Sequence, residues 1–128
     1  MAAKYAHADV LDGGLNAIKD NAVQMLLLKA YANADSYATV AGNAICAVAM
    51  VSGDYTLSGA DNGPRVLAVG AKSGVASADS GATPDLHIAF TDNVSKVLWV
   101  TDETSNQVVT NGNTVNFPAL AYTSEQPT

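Results

Sequence analysis

Residues 86–117 read LHIAFTDNVSKVLWVTDETSNQVVTNGNTVNF, and their pattern decides the fold class. Leu86, Ile88 and Phe90 alternate with His87, Ala89 and Thr91, the period-two signature of a strand. Asp92-Asn93 interrupts this run before Val97-Leu98-Trp99-Val100, and a polar stretch, Thr101–Asn106, follows. Val108-Val109-Thr110 and Thr114–Phe117 then flank Asn111-Gly112, a pair that favours tight hairpin turns between β-prone runs. The stretch therefore predicts consecutive antiparallel strands with a last hairpin at Asn111-Gly112. None of it carries a recognisable chemical motif.

Working outward, Arg65–Ala71, Tyr55–Leu57 and Gln24–Lys29 read as further strands, with a weak edge strand at Val75–Ser77 and another at Ala119–Tyr122. Gln24–Lys29 is apolar on both faces at Met25–Leu28 and should be covered on both. Gly59–Pro64 is a loop, since two glycines and a proline cannot join a central ladder. The alanine-rich segment from Ala34 to Ala49 mixes helical propensity with β-branched Ile45 and Val48. A helical turn near Asp35–Val40 followed by an extended segment near Ile45–Met50 is expected there. Leu15, Ile18 and Ala22 fit the face of a short helix. The resulting expectation is a single all-β domain: an antiparallel β-sandwich or jelly-roll over residues 15–123 with room for one short helix. An irregular N-terminal arm over residues 1–14 precedes it, and an exposed tail over residues 124–128 follows.

Composition narrows function mainly by exclusion. Of 128 residues only 14% are charged, 23 are alanine, and the net charge is −6. After Gly53 eight acids face three bases, Arg65, Lys72 and Lys96, so there is no cationic cluster to hold nucleic acid or an anionic membrane. A surface poor in charge covers its neighbours at small desolvation cost, which suits life inside an assembly. Cys46 is the single cysteine and lies among apolar residues, which predicts a buried, inert thiol. The N-terminal residues lack a charged region followed by an apolar one, so synthesis and folding in a cytoplasm are expected.

Candidate chemistry is sparse. His87, with Asp85 close by, and His7, with Asp9 and Asp12, are the histidines with acidic neighbours, yet neither group has a recognised ligand spacing. Asp61-Asn62-Gly63 lacks the closing glutamate of a calcium loop and reads as a turn. Asp102-Glu103 reads as a solvated acidic pair, and Phe90 and Trp99 as core anchors. No nucleophile elbow, phosphate loop or zinc-protease motif is present. The expectation is a protein with no catalytic residues, no cofactor and no metal.

Several phrases resemble a known family. They are Ala3–Gly13, Ser52-Gly53-Asp54-Tyr55-Thr56-Leu57, Leu86–Asp92, Lys96–Thr101 and Gly112–Pro118. Together they are similar to small virion proteins encoded near capsid genes in tailed bacteriophages and prophages, although Ala34–Ala49 is richer in alanine than that pattern. The resemblance implies a capsid cement or decoration protein, a β-sandwich or jelly-roll subunit on the exterior of an icosahedral shell. Its implied partners are the major capsid protein and itself, as a homodimer or homotrimer. Contacts from the N-terminal segment would then fall at Lys4, Tyr5, His7, Val10 and Leu11. A tail tube, adaptor or fibre-base subunit, or a free glycan-binding module, are the competing expectations.

Overall fold

A computed structural model describes residues 4–127. Its first element is a helix, α1 (Ala8–Asn21), on a face built from Ala8, Leu11, Leu15 and Ile18, all buried. His7 caps it, with Nδ1 accepting from the Asp9 amide at 3.0 Å, while Asp9 and Lys19 complement the helix dipole at the two ends. The expected arm over residues 1–14 is thus corrected from Ala8 onward; Lys4–His7 are irregular, and Ala2 and Ala3 lie outside the described residues. Gly13-Gly14 reads as a break because each glycine costs a helix about 1 kcal/mol. Burying Leu11, Leu15 and Ile18 contributes about 1.5–3 kcal/mol each, which outweighs that cost.

The strands follow in chain order as β1 (Gln24–Leu28), β2 (Ala44–Ala49), β3 (Tyr55–Ser58), β4 (Arg65–Val69), β5 (Lys72–Val75), β6 (His87–Thr91), β7 (Val97–Asp102), β8 (Thr114–Phe117) and β9 (Leu120–Ser124). A short helix, α2 (Tyr37–Gly42), separates β1 from β2, as the alanine-rich segment predicts. The strands form three antiparallel sheets, ordered β2-β1-β6-β7, β3-β4-β9 and β5-β8. This is the expected mostly-β, sandwich-like single domain, except that two helices, one of 14 residues, stand where one short helix is expected.

The two central strands of the four-stranded sheet, β1 and β6, are buried on both sides. Met25, Leu27, Ile88 and Phe90 enter the main core with Leu15, Ile18, Tyr55, Leu67 and Phe117. Leu26, Leu28 and Ala89 form a second cluster with Val40 of α2 on the opposite face. The double apolar character of β1 is the cause: neither of its faces can be left in water. Across the main core Phe90 stacks on Trp99 at 4.7 Å, and Trp99 meets Tyr122 of β9 edge-on at 5.3 Å. Phe90 is the core anchor expected, and Trp99 is half-buried against it.

Three expectations fail locally. Val108–Thr110 is not a strand, and β8 pairs with β5 instead of with it. The turn at Asn111-Gly112 forms, with the Asn113 amide donating to Thr110 O at 3.0 Å, but only Gly112 has positive φ. A two-residue hairpin of the favoured type needs positive φ at both central positions; this turn splays the flanking segments. The edge strand expected at Val75–Ser77 lies at Lys72–Val75, because Gly74 lets β5 press against β2. A Cβ there would meet Val48 Cγ2 at 2.8 Å and Cys46 Sγ at 3.0 Å. Finally, the exposed tail over 124–128 is partly structural: Ser124 closes β9, and the Gln126 amide bonds Ala6 in both directions at 2.9 and 3.0 Å. Thr128 lies outside the described residues.

Candidate functional site

Two features sit at the same end of β6, on opposite faces. On the core side is a cleft of about 270 Å³ whose floor includes Leu27, Leu86, Ile88 and Phe117. Its rim is polar, from Glu103, Ser105, Gln107 and Asn113. The segment after β7 folds over this end of the sheet. Asn106, at φ +46°, accepts from the Leu86 amide at 2.8 Å, and the Glu103 amide donates to Leu86 O at 2.9 Å. The Glu103 carboxylate accepts from Ser105, at 2.9 Å from the amide and 3.2 Å from the hydroxyl.

On the other face, antiparallel pairing sets His87 directly opposite Asp102. His87 Nε2 lies 3.7 Å from Asp102 Oδ1, and Nδ1 lies 3.2 Å from the backbone carbonyl of Asp85 and 4.0 Å from its Oδ1. The ring tilts against Tyr31 at 5.5 Å and is mostly buried, whereas both carboxylates stand in solvent. Asp102 was not legible as a partner of His87, because their proximity depends on strand register. The second histidine group does not assemble: His7 caps α1 and reaches Asp9 Oδ2 at 3.7 Å, while Asp12 turns inward to pair with Arg65 at 2.8 and 3.1 Å.

The other singled-out residues have structural roles. Cys46 is buried, and burial pushes its thiol up, away from the nucleophilic thiolate. Tyr55, a buried hydroxyl in the main core, donates to Ala22 O at 2.7 Å. Desolvation first, and the neighbouring Asp54 carboxylate second, raise it to about 12. Asp61–Gly63 is the turn expected, closed by the Gly63 amide on Ala60 O at 3.3 Å.

Of the contact residues expected at the N-terminus, Lys4, Tyr5, His7 and Val10 are exposed, and Val10 is 69% accessible. Leu11 is not available: at 8% accessibility it belongs to the protein's own interior, because it shares the helical face of Leu15 and Ile18. Beside Val10 a groove of about 290 Å³ runs between α1 and the strands β7 and β9, with Gly14, Leu98 and Tyr122 on its walls. Sequence reading missed this groove, since it depends on α1 lying over two sheet edges.

Compared with protein-family models, with curated proteins and with solved structures, the chain matches none. Among the described residues no helix is long and apolar enough to cross a membrane.

Proposed function

We propose that the protein is a non-enzymatic virion structural subunit that binds the exterior of a bacteriophage capsid and reinforces contacts between major capsid subunits. The observation that carries this reading is the groove bounded by Val10, Leu98 and Tyr122, set between α1 and the edge strands β7 and β9. Free-standing proteins blunt such edges with lysine, proline or charge. β7 holds a single charge, Asp102 at its last residue, and β9 holds none. All five residues Val97–Thr101 are only half-buried, so a neighbour that covered them would gain apolar burial at little desolvation cost.

The acidic balance and the resemblance to small virion proteins support the exterior of a shell over its DNA-filled interior. In this role Lys4, Tyr5, His7 and Val10 face the lattice or a second copy of the chain. Each contact can be weak, because copies linked through one shell bind multivalently. The test is quantitative mass spectrometry of particles purified from the source organism. A fixed ratio of this chain to the major capsid protein is expected, and particles free of it would refute the reading.

A further inference from the structure

His87 Nδ1 lies 3.2 Å from the carbonyl oxygen of Asp85, a group that only accepts, so a proton on Nδ1 is held there and Nε2 is the ring nitrogen that faces the Asp102 carboxylate, at 3.7 Å. Their separation is too long for a hydrogen bond, but it suits two ligand atoms that each sit about 2.0–2.2 Å from one shared ion. Asp85, 68% exposed and therefore free to change rotamer, offers a third oxygen. One ligand atom from each of the three residues already lies within 4.8 Å of the others. Among the described residues no lysine or arginine forms an ion pair with Asp85 or Asp102.

We propose that Asp85, His87 and Asp102 form a binding site for a divalent transition-metal ion of the zinc class, with water filling the open positions. An imidazole whose second nitrogen donates to a backbone carbonyl has its tautomer and ring plane fixed for metal ligation. The Tyr31 ring, packed at 5.5 Å, restrains the same imidazole from the side. A nitrogen ligand with two carboxylates favours zinc, nickel or copper over magnesium and calcium, which prefer all-oxygen shells. An ion there would tie the end of β6 to the end of β7, next to the loop that roofs the core-side cleft. The site is independent of any role on a shell.

The test is calorimetric titration of the full chain with zinc chloride in chelator-free buffer near neutral pH, with magnesium chloride as the comparison. One zinc ion per chain is expected, with no saturable magnesium binding. His87→Gln and Asp102→Asn should each lose more than about tenfold in affinity, a loss that even an outer-shell partner of a metal can cause. His7→Asn, which keeps a capping acceptor on α1, should bind as the unaltered protein does. Nitrogen-15 spectra of the unaltered chain provide a check that needs no variant: zinc should shift His87 Nε2 and leave His7 in place. Absence of saturable zinc binding below millimolar concentration, binding indifferent to His87→Gln, or a shift at His7 instead would each overturn the proposal.

Discussion

The paired central strands β1 and β6 and the edge strands β7 and β9, which end two different sheets, are built from similarly apolar residues but live in different surroundings. In β1 and β6 every residue except Gln24 and His87 is buried, with the main core on one face and the α2 cluster on the other. β7 has no fully buried residue, and β9 exposes Ala121, Tyr122 and Thr123. The two regions meet through the Phe90–Trp99–Tyr122 ring stack, so the inner pair anchors the outer one. On the proposed reading, the difference separates stability from interaction. Changes in the inner pair should unfold the protein, while changes on the outer strip should leave it folded but unable to associate.

The largest expected effect tests the inner pair. Phe90→Ala removes a fully buried ring and should cost about 3–5 kcal/mol in urea unfolding, enough to unfold a marginally stable domain at ambient temperature. A loss as small as that of a surface change would erase the distinction between the regions.

A second test concerns how β5 reaches the inner sheet. Gly74→Ala drives a methyl into Val48 Cγ2 and Cys46 Sγ and should cost about 1–3 kcal/mol by overpacking. The midpoint of a denaturant curve reports it. An unchanged midpoint would mean that β2 and β5 are not in firm contact.

Acid sensitivity gives a third, smaller effect. The Val51 amide first, and Lys72 next, hold the Asp54 carboxyl below its ordinary 3.8; bonds from the amides of Lys96, Ser95 and Val94 do the same for Asp92 in the β6–β7 turn. Because the folded values are lowered, their stabilisation is complete above 3.8 and is lost as pH falls through the lower folded values. Thermal unfolding between pH 6 and pH 2, about the range in which carboxylates titrate, should show a falling melting temperature. Asp54→Asn should flatten part of that slope and cost about 1 kcal/mol at neutral pH.

The smallest effect on folding should come from the outer strip. Val10→Asp should change stability by about 0.5 kcal/mol or less, since this side chain is exposed. Sedimentation should nevertheless show loss of any homodimer or homotrimer that the unaltered chain forms. Equal self-association by both proteins would remove this strip from the interface.

What could be read from the residues alone divides along the same line. Alternation fixed β6 and β7, and the doubly apolar run Met25–Leu28 announced a strand covered on both sides. Both are local signals reinforced by burial. Glycines misled twice: Gly13-Gly14 hid the continuation of α1, and Asn111-Gly112 suggested a hairpin where the backbone turns the other way. Packing of Leu11, Leu15 and Ile18 overrode propensity in the first case. In the second, the bonds of Ser80 and Asp79 to Val109 and Asn111 hold 108–111 to the preceding loop. The candidate sites were least legible, because the Asp102–His87 pair and the Val10–Tyr122 groove arise from register and docking between distant segments.

The most direct test of a role on the shell is a three-dimensional reconstruction of the native particle. It should show this fold repeated over the capsid exterior, with α1, β7 and β9 turned toward the lattice or a second copy. Density confined to the tail axis, or a shell lacking this subunit altogether, would contradict the account.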